Sequence, residues 1–387
     1  MTRPVPFAER KDAPVNAVRP DPVPPDLVSP VSVTVTAVTH SADFIRPRLR
    51  ADRRDRLALH AGVQINGAPH VGTNVMQTAA FLLAEAARDR FGVETVLRFG
   101  ALDNTACDTR TCARTGTLYE RSYHHALGPE AIGELTRRYY GGLFDSLSAA
   151  TGVPYEVQTY TAQQSGSVFR EEFLRSLVLR DELRWVLAPS SGRLPLSFPC
   201  PECGWSQKHG EGTELLEAGT RQARARAVCL DHGTYAVDVT PESQVYIGST
   251  TLHRNLVKER AAARDDALPV IVKGADWAAG CRLLDEAFWC YAGATPPPRV
   301  FTPVILSESG AKLSKSLIQE GKADLPAGIA PWMLDVTLWE GPVEEYAHLL
   351  LRLVSLMLSD PRHFERGYTT RELARLIGSD GGSGAAA

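Results

Sequence analysis

The pattern of apolar positions first becomes regular at residues 57–64, LALHAGVQ, a run of strand length that predicts a buried strand. Residues 65–73, INGAPHVGT, carry the Gly and Pro of a loop. Residues 73–90 are rich in Ala and Leu and free of breakers, which predicts a helix closed by Gly92. VETVLRFG, 93–100, reads as the next strand. Strand, loop, helix and strand over some forty residues make a parallel βαβ unit. Helices are expected at 129–152 and 168–187. Residues 198–233 break the pattern with Cys, Gly and charge and read as an insertion. PVIVK (269–273) is a short buried strand, a helix follows over 281–291, and RVFTPVIL (299–306) reads as one more strand. After Pro331 the chain reads helical, with one helix at 343–358 and a shorter one opened by the capping box Thr369–Glu372.

Alternating strands and helices on both sides of an insertion predict an α/β fold. Its expected form is a doubly wound, Rossmann-like parallel nucleotide-binding sheet with an inserted zinc-binding module and a short C-terminal helical region. The expected divisions are a disordered Pro-rich arm (1–30), the first half of the catalytic domain (31–195, with an alternating strand or lead-in at 31–38), and the zinc module (196–240). The second half (241–330), a helical region (331–378) and a flexible tail (379–387) follow. Length alone, 387 residues, fits about two or three domains.

Composition narrows the class. With 44% hydrophobic and 22% charged residues the chain is of the ordinary globular type. A net charge of -3 leaves no global basic excess for nucleic acid, so such a partner must meet a local patch. No apolar run reaches the ~20 residues of a membrane helix, so no membrane partner is expected. The N-terminus lacks the apolar core of a secretory signal. Seven Cys, an odd number, argue against a disulfide framework and for a reducing, cytoplasmic setting.

Three loops carry candidate chemistry. The loop Gly67-Ala68-Pro69-His70-Val71-Gly72-Thr73 lies between a strand and a helix, where the sheet edge and the helix N-terminus favour an anion. Gly72 permits close backbone approach, and His70 can donate to a phosphate oxygen as charge builds. Taken alone it reads equally as a tight turn. Lys273-Gly274-Ala275-Asp276-Trp277 follows a strand, and Asp276 is suited to ribose hydroxyls. Ser309 to Ser316, SGAKLSKS, offers Lys312 and Lys315 to a pyrophosphate leaving group; its bland reading is a solvated basic loop.

In this order and context the three loops resemble the signatures of class I aminoacyl-tRNA synthetases, HIGH and KMSKS in their usual form. GAPHVGT, with Thr73 in fourth place, is most similar to the class I lysyl-tRNA synthetases, as are the Cys-rich insertion, the GAD loop and the segment Ser165-Gly166. The resemblance spans about residues 57–340 and is specific at the two signature loops. It implies ATP as its Mg²⁺ complex, and an amino acid activated as aminoacyl-adenylate. His70, Lys312 and Lys315 would be catalytic. Gly72, Thr73, Gly274, Asp276, Ser314 and Ser316 would bind nucleotide, and Gly62, Gln64 and Asp103 the amino acid. The segment His60–Gly67 departs from the lysyl pattern: it has no acidic residue to pair with a lysine side chain, and Asp103 on the next strand is the remaining candidate.

Cys200-x-x-Cys203 and Cys229-x-x-His232 supply four ligands for a structural, tetrahedral Zn²⁺. The alternatives are His209 as fourth ligand or a loop without metal. The other four Cys fit no such spacing and are expected to be buried or half-buried thiols.

About 70 residues follow Ser316, and 317–387 holds six Lys/Arg against ten Asp/Glu. That acidic tail is a poor surface for an anticodon arm. Two enzyme readings remain. One is a shortened aminoacyl-tRNA synthetase that contacts only the acceptor arm, where Arg221, Arg224 and Arg226 of the zinc module are candidate contacts. The other is a paralogue that transfers its aminoacyl group to a small amine, a thiol or a carrier protein. A non-catalytic synthetase-like binding module is the third reading.

Overall fold

A computed structural model describes residues 45–50, 54–313, 329–359, 361–364 and 366–378. The Pro-rich arm, the strand expected at 31–38, the tail 379–387, and Ser314, Lys315 and Ser316 lie outside the described residues.

After a helical stretch at 45–50, the chain enters β1 (Arg56–Gln64), α1 (Val71–Phe91) and β2 (Glu94–Leu102). A hairpin, β3 (Ala106–Thr111) and β4 (Leu118–Ser122), leads to α2 (Tyr123–Thr136), kinked at Gly128-Pro129, and α3 (Gly142–Thr151). β5 (Tyr155–Thr159) is followed by α4 (Tyr160–Ser165), α5 (Ser167–Val178) and α6 (Arg180–Leu187). The cysteine-rich region forms β6 (Leu196–Ser197), β7 (Trp205–Gln207), β8 (Glu214–Ala218), β9 (Ala223–Cys229) and β10 (Gly233–Val239), and β11 (Gly248–Ser249) follows. The chain returns through α7 (Thr251–Ala262), β12 (Leu268–Gly274), α8 (Ala278–Phe288), β13 (Arg299–Thr302) and β14 (Ile305–Leu306). It closes with α9 (Val343–Leu358), α10 (Pro361–Phe364), β15 (Tyr368–Thr369) and α11 (Thr370–Gly378).

Five strands form the central parallel sheet in the order β13-β12-β1-β2-β5. The chain starts in the middle, winds outward through β2 and β5, and then crosses back to β12 and β13. This is the doubly wound α/β arrangement the sequence predicts. Its switch point is the crevice between β1 and β12, where loops leaving adjacent strands diverge and make room for a ligand.

Burial explains why α1 needs no polar face. Residues around its whole circumference are buried because it lies between the sheet and α9, within one apolar core with Leu57, Leu59, Leu97, Leu350 and Val354. Asn74 on α1 donates to the Tyr346 hydroxyl of α9 at 2.9 Å, a polar tie inside that core. The C-terminal helix α9 therefore covers α1 and α3 on their side away from the sheet.

Two expectations change. The sequence predicts one strand over residues 299–306, but Pro303 divides it. β13 joins the central sheet, and β14 pairs with β15 in the C-terminal region. The hairpin β3–β4 is absent from the sequence-based reading. It is too polar for a core strand, and β4 pairs outward with β7 beside the first cysteine pair. The capping box is formed as the sequence predicts, with Thr369 N–H donating to Glu372 at 2.8 Å and Glu372 N–H donating to Thr369 Oγ1 at 3.2 Å.

Candidate active site and metal centre

A cavity of about 980 Å³ opens at the carboxyl ends of the sheet strands, spanning the β1–β12 crevice. Gly62, Gln64, His70, Gly72, Thr73, Gly274, Asp276 and Lys312 all line it, although the first and last are 250 positions apart. Asp103 does not line it. Its carboxylate is buried and caps α4, accepting from Thr161 N–H at 3.1 Å and Thr161 Oγ1 at 2.6 Å. Asp103, expected to meet a substrate ammonium group, thus stands outside the cavity, with both oxygens at the helix start and His124 Nδ1 3.8 Å from Oδ2.

His70 is held by the turn it terminates. It is the N-cap of α1, and its Nδ1 accepts the Gly72 N–H at 3.1 Å. Nδ1 therefore carries the lone pair, and the proton of the neutral ring sits on Nε2, 3.5 Å from Thr73 Oγ1. A side chain at position 72 would come within 3.0 Å of the imidazole and 3.1 Å of Ile305, so a larger residue there would push against the ring that folds over the helix start. The result is an Nε2–H donor beside the positive end of a long helix.

The other two loops meet on the β12 side. Gly274 ends β12, and Asp276 stands on the turn after it, hydrogen-bonded to the Lys312 ammonium. Lys312 is placed by a short hairpin in which Ser307 N–H donates to the Ala311 carbonyl (2.8 Å) and Leu313 N–H to Ile305 (2.8 Å). Gly310 makes that reversal at φ 81°. Glu308, on the same hairpin, accepts from Arg371 of α11 at 3.2 Å, so the C-terminal region braces the loop.

The cavity also contains charges that the sequence-based reading does not single out. Positions 251, 254, 255, 258, 261 and 262 of α7 face it as one helical stripe. Within the stripe, burial, followed by Lys273 and Arg254, lowers the Lys258 ammonium to about 7. Burial, with Arg98 and Lys258 adding to it, holds His60 at about 3, so that imidazole is neutral. The signal for these residues is the spacing of Arg254 and Lys258 four apart on one helical face.

The metal-type residues converge as a separate cluster. The ligand atoms of Cys200, Cys203, Cys229 and His232 all lie within 4.8 Å of one another. Cys203 Sγ is 3.4 Å from Cys229 Sγ, and His232 Nδ1 is 3.4 Å from Cys200 Sγ and 3.6 Å from Cys229 Sγ. These are spacings for four atoms around one ion with bonds of ~2.0–2.3 Å. His232 Nε2 faces the Glu202 carboxylate at 3.4 Å, the outer partner that orients a ligating imidazole. A Cys₃His set with no open position suits a structural Zn²⁺. His232 rather than His209 completes the set. Cys112 and Cys281 are buried and Cys107 and Cys290 half-buried, as expected of unligated thiols.

The basic run of the module is less available than its sequence suggests. Arg224 pairs with Asp238 at 2.8 Å and Arg226 with Glu214, across neighbouring strands of the β8–β9–β10 sheet. Ala223, Ala225 and Ala227 point inward from the same strand.

No family model matches the sequence, and no curated protein does. Solved structures to which the chain is similar include methionyl-tRNA synthetase of Mycobacterium tuberculosis in complex with methionyl-adenylate (14% identity, TM-score 0.40, covering 84% of this chain and 69% of that one). Glutamate-tRNA synthetase of Elizabethkingia anophelis is another (12%, 0.38, 84% and 70%), as is tyrosyl-tRNA synthetase of Archaeoglobus fulgidus with L-tyrosine (12%, 0.37, 91% and 97%). Likeness this slight bears on neither the site nor its chemistry. No helix among the described residues is long and apolar enough to cross a membrane.

Proposed function

We propose that the protein activates an amino acid with ATP, as its Mg²⁺ complex, to form an aminoacyl-adenylate, and then transfers the aminoacyl group to an acceptor. One observation carries this reading. His70, Asp276 and Lys312, from three loops that each resemble a nucleotide signature, stand around one cavity at the switch point of a doubly wound sheet.

The chemistry follows from the geometry. An amino-acid carboxylate oxygen attacks the α-phosphorus of ATP in line, the new C–O–P bond forms, and the bond to the pyrophosphate oxygen breaks. The protein need form no covalent intermediate, so its contribution is positioning and charge stabilisation. His70 Nε2–H donates to a phosphate oxygen as charge accumulates. Lys312 leaves Asp276 for the β and γ phosphates. Asp276 then turns to the ribose hydroxyls, with Gly274 keeping the backbone close. Gly72 and Thr73 offer N–H groups at the start of α1. Lys315, Ser314 and Ser316 complete the motif by sequence.

The lysyl-type likeness rests on the loop Gly67–Thr73, the Cys-rich insertion, the GAD loop and Ser165-Gly166, none of which specifies the side chain that the cavity receives. The tRNA acceptor arm is the acceptor by resemblance; a small amine, thiol or carrier protein is the competing one. The metal of the Cys₃His set is proposed to be Zn²⁺ in a structural role.

Amino-acid-dependent exchange of pyrophosphate into ATP tests the activation step. Exchange that one amino acid stimulates, and that is lost in Lys315→Ala with the fold intact, is expected. No exchange with any amino acid, with or without tRNA, sinks the reading.

A further inference from the structure

The charges around the cavity do not balance locally. Its three acidic lining residues are each engaged: Asp265 with Arg98, Asp276 with Lys312, and Glu259 with the buried Arg299 at 2.6 Å. Arg264 is engaged as well, with Glu171 at 2.6 Å, and Lys273 faces Glu259 at 4.0 Å and lies over the Trp277 ring. Two cations are left. Among the described residues, neither the Arg254 guanidinium nor the Lys258 ammonium has a carboxylate within ion-pair distance or a hydrogen-bond acceptor. Arg254 is only 7% exposed and lies over the Tyr160 ring at 5.6 Å. Arg254 is buried and Lys258 half-buried, and burying a charge without a partner costs up to several kcal/mol, so an anion between them would relieve both.

Their position says which part of a ligand they meet. Gly62 on β1 stands in register with Gly100 on β2, so this strip of the sheet has no side chains. A side chain at Gly100 would come within 3.3 Å of Gln163 Nε2 and 3.6 Å of Lys258 Nζ. The ammonium group thus reaches over a bare floor on the β2 side of β1. The loops of Asp276 and Lys312, by contrast, meet on the β12 side. The floor and the Lys258 ammonium above it, with Arg254 one helical turn away over Tyr160, belong to the half of the cavity left for the amino acid.

We propose that the amino acid activated here has an acidic side chain, held by Arg254 and Lys258 above the Gly62–Gly100 floor. The assignment rests on the adenylate-forming reading and names its substrate class. Lysine is the wrong charge for this floor, and among the described residues each acidic group lining the cavity is already paired.

The test is pyrophosphate exchange by the full chain with aspartate and glutamate against asparagine, glutamine, leucine and lysine, repeated in Lys258→Met and Arg254→Met. A dicarboxylic amino acid is expected to support exchange on the order of 100-fold better than its amide. Lys258→Met should raise its KM on the order of 100-fold while the KM for ATP stays within about threefold. Best exchange with lysine or a neutral amino acid overturns the proposal and leaves activation standing. A rise in the KM for ATP alone also overturns it, because the cations then serve phosphate. If no amino acid supports exchange, calorimetric titration of the full chain with glutamate and aspartate decides. Binding that Lys258→Met abolishes keeps the acidic pocket and sinks activation; no binding overturns the pocket too.

Discussion

Lys312 and Asp276, 36 residues apart, form an ion pair at the rim of the cavity, joining the loop after β14 to the turn after β12. Both are partly exposed, so the pair contributes at most about 1 kcal/mol to stability. On the proposed reading its value lies in holding an ammonium group where phosphates would arrive. Lys312→Met is expected to lower pyrophosphate exchange by roughly 100-fold or more, while the melting temperature changes by no more than a degree or two. Steady-state exchange and a thermal melt on the same preparation check both halves.

His70 has two tasks that can be separated. Its Nδ1 caps α1 and its Nε2–H faces the cavity. His70→Ala should lose the cap, about 1 kcal/mol, together with exchange activity. His70→Asn restores a capping oxygen without a donor in the place of Nε2, so it should recover the melting temperature and not the rate. Recovery of both would make the imidazole a cap only.

How much of this was legible in the sequence differs by residue. β1, α1, β2 and β12 follow from apolar runs broken by Gly and Pro, and His70, Asp276 and Lys312 stand on the loops after β1, β12 and β14. Convergence of those loops is a property of strand order, which no local pattern specifies. Asp103 misleads because an Asp at a strand end suits a helix cap as well as a ligand, and only Thr161, 58 positions on, decides. Arg254 and Lys258 are hidden for the opposite reason. A basic pair on a helix ordinarily faces water, and its burial depends on how α7 packs against α5 and α8. Arg299 fixes that packing through Glu259 of α7 (2.6 Å) and Asp285 of α8 (3.1 Å), a buried triad that the apolar reading of residues 299–306 passes over.

Lys258 ties stability to pH. Burial, Lys273 and Arg254 lower its ammonium to about 7, while Glu259 on the same helix opposes this, and His60 and Arg98 lie alongside. A lysine lowered from its ordinary value means that the unfolded chain holds more protons between pH about 7 and 10.5. This group therefore destabilises the fold most below pH 7, and the penalty is relieved as pH rises through that window. Lys258→Met should raise the melting temperature by a few degrees at pH 6 and by less at pH 9.5. Equal shifts at both pH values would mean that the ammonium group is not destabilised by its surroundings.

The Cys₃His cluster predicts about one zinc per chain, by elemental analysis of protein purified without added metal. A strong chelator, or Cys203→Ser, should lower the melting temperature by several degrees and loosen the β7–β10 region to proteolysis. A chain without zinc that is equally stable would contradict the structural assignment.

The most direct test of the central claim follows the α-phosphate of ATP. With ATP labelled at that phosphorus, the account predicts a labelled aminoacyl-adenylate bound to the protein, and labelled AMP on quenching, both dependent on one amino acid and absent in Lys312→Met. Label appearing in ADP, or remaining in ATP with every amino acid, would contradict it.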